Sequence, residues 1–172
     1  GAPSSVGKLL SRWARARGAT VIGTASASKR QALSADVDHA LVSSDKDLAA
    51  QIRKIAPQGV DVVYEFVGQA TFAASSEAVR DGGTIVNIGA ASGAPDIDAP
   101  SFASRGVKVL GGPMAQHLGG SALAEATGAV FQALRDGTFG KMDITRYPLT
   151  QAAQAHEDIA ARRRSGTAIL GP

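Results

Sequence analysis

Seven short apolar runs, each parted from the next by polar or helix-patterned stretches, constrain this chain more than any other feature. They are Ala19–Thr24, His39–Val42, Val60–Phe66, Thr84–Ile88, Val107–Leu110, Ile144–Leu149 and Thr167–Leu170. Helical spacing fills most of the intervals. Val6, Leu9, Leu10, Trp13 and Ala14 recur at i, i+3, i+4, i+7 and i+8, which predicts an apolar helix face ending at Gly18. A short helix is expected around Lys29–Ser34. Another opens at Ser44-Asp45-Lys46-Asp47, with Ser44 as cap and Leu48, Ile52 and Ile55 as its buried stripe. Further helices are expected over Gln69–Arg80, over Ser121–Asp136 (face Leu123, Thr127, Val130, Leu134) and from Gln151 to about Arg163. Asp81-Gly82-Gly83 reads as a turn, Gly89–Gly93 as a glycine-rich loop and 94–106 as irregular. Strands this short and apolar suit burial on both faces. Alternating with helices, they predict an α/β fold built on a doubly wound parallel sheet.

Composition narrows the function classes. A chain of 172 residues with 44% hydrophobic and 19% charged residues is globular and forms one domain or little more. There is no cysteine, which excludes disulfides, thiolate metal sites and cysteine nucleophiles within this chain. A net charge of +3 with 5% aromatics argues against a nucleic-acid partner. No apolar run suits a membrane span and nothing reads as a secretory leader, so a cytoplasmic protein is expected. His39, His117 and His156 lack metal-ligand spacing, and no metal site is expected. His117, in a glycine-flanked loop, is the one that could border a pocket. Arg162-Arg163-Arg164 reads as a solvated helix end. No residue stands out as a general acid or base, so no catalytic residue is assigned.

The N-terminal segment carries the chemistry. A dinucleotide fingerprint needs glycines at three positions before a helix, for the turn, for the pyrophosphate and for close packing. Ala2, Ser4 and Gly7 stand there, and the same stretch also reads as a plain helix cap at Ser4 or Ser5. A magnesium-binding phosphate loop is excluded because Leu9 follows Lys8 where a hydroxyl is required. After the run Ala19–Thr24, Gly23-Thr24-Ala25-Ser26-Ala27-Ser28-Lys29-Arg30 carries no acid to hold ribose hydroxyls. It carries hydroxyls and two cations, which suit a 2′-phosphate and favour NADPH over NADH. The alternative there is a solvated polar turn.

Several stretches together resemble one family. Ala2-Pro3-Ser4-Ser5-Val6-Gly7 is similar to the A-A-G-G-V-G segment of zinc-independent quinone oxidoreductases, in the medium-chain dehydrogenase/reductase superfamily. Gly18–Thr24, Gly59–Tyr64 with Val67-Gly68, Gly89-Ala90-Ala91-Ser92-Gly93, Tyr147-Pro148-Leu149, Ala155-His156 and Ser165-Gly166 through Pro172 follow in register. The resemblance implies a Rossmann-type domain over 1–145 and a segment 146–172 that returns to a GroES-like substrate domain. It implies NADPH as cofactor, quinones or activated alkenes and enones as small-molecule substrates, and a homodimer joined through Val107–Leu110. Ser4, Ser5, Val6 and Gly7 would face the pyrophosphate. Ser26, Lys29 and Arg30 would face the 2′-phosphate, with Thr24 also at the cofactor. Val67 and Gly68 would lie along the cofactor, and Ile88, Gly89 and Ala90 would line the nicotinamide pocket. An enoyl thioester reductase and a non-catalytic NADPH-sensing module are the alternatives.

The sequence also departs from the family. Ser4 replaces the middle glycine, Ser43 a tyrosine near the adenine, and Ala90 the asparagine of G-N-A-S-G. The helix after Arg30 is two residues short. The family's N-terminal half and the first, central strand of its sheet are absent from this sequence. An apolar gap in the sheet is therefore expected, and a chain that is neither stable nor active alone.

Overall fold

The computed structural model describes residues 1–112, 116–117, 119–142, 144–161, 163 and 167–172. Arg162, Arg164, Ser165 and Gly166, which carry two of the expectations above, lie outside the described residues. In chain order the elements are α1 (Ser5–Ala16), β1 (Ile22–Ala25), α2 (Arg30–Leu33), β2 (His39–Val42), α3 (Leu48–Ile55), β3 (Val60–Glu65), α4 (Gln69–Ala78) and β4 (Val79–Asn87). Then come α5 (Ala99–Ser104), β5 (Lys108–Leu110), α6 (Ala122–Arg135), β6 (Ile144–Pro148), α7 (Ala152–Ala160) and β7 (Thr167–Gly171). Every strand pairing is parallel, as the alternation demands.

Among the described residues the ladders form three separate groups, β1-β2, β3-β4-β5 and β6-β7. No ladder joins β1 to β3 among the described residues. Between them lies a cavity of about 690 Å³, lined by Leu10, Ala14, Ile22, Val60, Val62 and Ala74 among others. The expected gap in the sheet is there, and it is mainly apolar.

The core lies on one side of the β3-β4-β5 sheet. Phe72, Val79, Ile85, Phe102 and Val107 are buried together, with Val63 and Val109 against them. Phe72 and Phe102 meet edge to face, centroids 6.0 Å apart. Val62 and Tyr64 alternate to the other face and are 44% and 45% exposed, so β3 is not buried on both faces as its sequence suggested. Smaller clusters sit at β1-β2 (Ala25, Leu33, Val37) and under α3 (Leu48, Ile52, Ala78).

Arginines tie the pieces together. Arg105 donates to the Asp81 carboxylate and to the Ser76 and Val79 carbonyls, bolting α5 to the α4–β4 corner. Arg12 pairs with buried Asp36 at 2.7 Å and donates to the Phe139 and Lys141 carbonyls. Trp13 stacks edge-on against Phe139 at 5.8 Å, so α1 holds the chain after α6.

Several expectations are corrected. The most buried α1 positions are Gly7 and Ser11, whereas Val6 is 59% exposed, because the helix turns small residues toward the close approaches. Strand β1 begins at Ile22, three residues later than the apolar run. Ser44 caps nothing: α3 starts at Leu48, and the Asp45 and Asp47 carboxylates accept from Gln51 instead. Asp81-Gly82-Gly83 lies within β4 as a bulge, with Val60 opposite Val79 but Val62 opposite Thr84. The stretch 94–106 contains α5, started by the Asp98 carboxylate accepting from the Ser101 amide and by Pro100 in its first turn. The α6 face Leu123, Val130 and Leu134 is exposed, because spacing defines a face but not what covers it.

Candidate functional site

The carboxyl ends of β1, β3 and β4 and the N-terminus of α1 define the site. Parallel strands point their carboxyl ends to one edge, where helix N-termini also gather, and dinucleotides bind at such edges. Ser4 is the α1 cap: its hydroxyl accepts from the Gly7 amide at 3.0 Å. No acid stands in the first turn of α1, so its positive end is uncompensated there. Gly7 is required by packing, since a Cβ there would lie 2.6 Å from the Ala2 carbonyl oxygen. Ser4, Ser5 and Val6 are exposed beside it.

Beyond β1, a 3-10 turn over Ala27–Lys29 leads into α2. Ser26, Ser28, Lys29 and Arg30 are exposed there, with the Ser26 and Ser28 hydroxyls 3.2 Å apart. Arg30 Nε donates to the Ala40 carbonyl at 2.9 Å, which pins the guanidinium beside β2. Thr24 is half-buried within β1. Ser43, in place of the family's tyrosine, donates its amide to the Ala25 carbonyl and so closes the end of β1.

The two remaining loops form one unit. The Ser92 amide and hydroxyl both donate to the Val67 carbonyl, at 2.8 Å each. Ser92 Oγ also accepts from the Ala70 amide at 2.9 Å. Gln69 donates its amide to the Gly93 carbonyl at 3.0 Å. Gly68 takes φ 90° and ψ −131°, and a Cβ on it would collide with the Gly93 carbonyl oxygen. Gly89 passes over Phe66, whose carbonyl oxygen would be 2.5 Å from a Cβ. Ile88 is 50% exposed at this edge, and Ala90 is exposed next to Gly68.

Glu65, which sequence reasoning passed over, organises this unit. It is 4% exposed, and its carboxylate accepts from the Val67 amide (2.8 Å), the Gly68 amide (3.1 Å), Thr71 Oγ1 (2.8 Å) and Ser75 Oγ. Burial pushes its pKa up, but the hydrogen bonds from Ser75, Val67, Thr71 and Gly68 outweigh burial and hold it below the ordinary 4.5. A depressed carboxyl pKa stabilises the fold above the unfolded value and loses that contribution as pH falls through the folded one. Its signal in the sequence was a lone acid ending the apolar run Val62-Val63-Tyr64.

The structure therefore brings Ser4–Gly7 together with β1 through Ala2, whose Cβ lies 3.3 Å from where a Gly23 Cβ would stand. It brings Val67 and Gly68 together with Gly89, Ala90 and Ser92. His117 Nε2 lies 3.0 Å from the Gly111 carbonyl oxygen after β5, and no contact joins it to these loops among those described. Among the described residues no group of three or more His, Asp or Glu is placed to hold a metal ion.

Known proteins share this fold. A family model described as zinc-binding dehydrogenase matches residues 5–128. The chain belongs to that family, within the medium-chain dehydrogenase/reductase superfamily. A 2-haloacrylate reductase of Burkholderia sp is 31% identical over 99% of this chain and 54% of its own length. The family's solved structures carry the same fold. One of a 2-haloacrylate reductase superposes with a TM-score of 0.90 at 30% identity, covering 99% of this chain and 55% of its own. The Escherichia coli quinone oxidoreductase, solved as a complex with NADPH, gives 0.83 at 30% identity, with 99% and 55% covered. This chain thus has the fold of the nucleotide-binding domain of those enzymes and spans about half their length.

Proposed function

We propose that this chain is the nucleotide-binding part of an NADPH-dependent, zinc-independent oxidoreductase that reduces quinones or activated alkenes and enones by hydride transfer. One observation carries the reading. The carboxyl edge pairs an acid-free α1 N-terminus with the exposed Ser26, Lys29 and Arg30 turn, on a fold shared with an NADPH-complexed quinone oxidoreductase. Cofactor and site fit. Ser4–Gly7 would meet the pyrophosphate and Ser26, Lys29 and Arg30 the 2′-phosphate, beside Thr24. Val67, Gly68, Ile88, Gly89 and Ala90 would meet the nicotinamide half. Bound NADPH supplies the hydride. The chain's own residues would hold and orient it, with Gly68, Gly89 and Ala90 the small residues beside the ring. Zinc independence is what the resemblance to the zinc-independent quinone oxidoreductases implies.

Residues 1–145 form the nucleotide-binding part in this reading. Residues 146–172 return to a substrate domain, and Leu149 and Ile159, 64% and 53% exposed, are apolar surface suited to that contact. The edge of β5 away from β4 has no described strand on it. It would join two copies in a homodimer, and light scattering on the full-length protein should give twice the monomer mass; a monomer mass contradicts this.

Turnover tests the activity directly. The full-length protein should oxidise NADPH with quinones or enones as acceptors. Turnover with enoyl thioesters alone would move it to that class. Tight NADPH binding without turnover on any acceptor would make it a sensing module.

A further inference from the structure

Resting on the NADPH reading, we propose that Glu65 is a positioning residue that sorts the two halves of the nucleotide along the site. Its carboxylate fixes the Val67–Gly68 turn as a ledge that offers the bound nucleotide side-chain and backbone surface but no amide. Both amides of the turn are already given to Glu65, at 2.8 and 3.1 Å. The Val67 carbonyl is taken by Ser92 twice, at 2.8 Å each. The Glu65 carbonyl accepts the Ile88 and Gly89 amides at 2.8 and 3.2 Å, so one residue holds both loops.

The consequence is electrostatic as well as geometric. Both α4 and α1 present N-termini at this edge. That of α4 already has the Glu65 carboxylate on the Gly68 amide and on the Thr71 and Ser75 hydroxyls. That of α1 has only the neutral Ser4 hydroxyl and no acid in its first turn. A phosphate is repelled from the first and received by the second. The reduced nicotinamide ring, which carries no charge, is thereby assigned to the ledge. The face of the reduced ring makes no hydrogen bonds and loses nothing at a surface whose polar groups are already paired.

The test uses the full-length protein and two ligands, NADPH and adenosine 2′,5′-bisphosphate, which lacks the nicotinamide half. Glu65→Gln keeps the shape but puts an N–H donor where an acceptor stood. NADPH binding should weaken by about tenfold, as the loosened turn no longer seats the nicotinamide half. Binding of the bisphosphate should stay within about twofold. Hydrogen exchange of the Val67 and Gly68 amides should speed up in the same variant. Ser92→Ala, which loosens the ledge from its other side, should show the same split and serves if Glu65→Gln does not fold. Equal weakening of both ligands would reduce Glu65 to a general stabiliser and overturn the proposal. So would unchanged binding of both. If the unsubstituted protein binds neither ligand, the NADPH reading itself fails, before any variant is compared.

Discussion

Gly68→Ala should cost about 4 kcal/mol of stability and abolish nucleotide binding. Gly68 sits at φ 90° and ψ −131°, a region open essentially to glycine alone. The added Cβ would also meet the Gly93 carbonyl oxygen, which accepts the Gln69 amide. Relief requires the 66–70 and 88–93 loops to part, which breaks the bonds from Ser92 to Val67 and strands the buried Glu65 carboxylate. Gly82→Ala is the control. Gly82 has φ 70°, but the nearest atom to its Cβ is the end of the Arg80 side chain at 3.5 Å. That substitution should cost only about 1 kcal/mol, the backbone penalty without a collision. Chemical denaturation of both variants measures the difference. Equal losses would mean that the two loops are not held together as described.

How much of this was legible in the sequence depended on the range of the interaction that decides each feature. Apolar runs and 3.6-residue spacing are local, and they gave β2, β3, β5, α1, α4 and α6 nearly in place. The missed α5 was also local: Asp98 and Pro100 are start signals, overlooked because the helix is only six residues long. Ser44 misled because a serine followed three residues later by an aspartate imitates a capping box, while Gln51 drew both Asp45 and Asp47 into a different network. Burial was harder to read. Leu123, Val130 and Leu134 form a proper helical face, yet the described chain leaves it exposed, and Val62 and Tyr64 likewise. Whether a face is covered depends on segments far away in sequence.

The site divides in the same way. The acid-free turn Ser26–Arg30 and the small residues at the strand ends were visible as residue types. The stitching by Ser92 and by the Glu65 carbonyl was not, because it joins positions 22 to 25 residues apart whose pairing exists only once β3 and β4 are in register. Gly68 was picked out by resemblance, but its reason, the Gly93 carbonyl beneath it, is a tertiary fact.

The second large effect concerns the choice between the two nicotinamide cofactors. Lys29 and Arg30 place two cations beside the Ser26 and Ser28 hydroxyls, and no acid stands in the turn Ala25–Arg30 that would repel a phosphate. A 2′-phosphate held by charge-assisted bonds gains roughly 1.5–3 kcal/mol for each. Even two weak ones amount to about a hundredfold in affinity. Arg30 is the better placed of the pair, since its Nε bond to the Ala40 carbonyl orients the guanidinium before any ligand arrives. Calorimetric titration of NADPH, with NADH in parallel, into the full-length protein tests this most directly. The account predicts about a hundredfold preference for NADPH, most of it lost when Arg30 and Ser26 are both replaced by alanine. Equal affinity for the two nucleotides, or no binding of either, would contradict it.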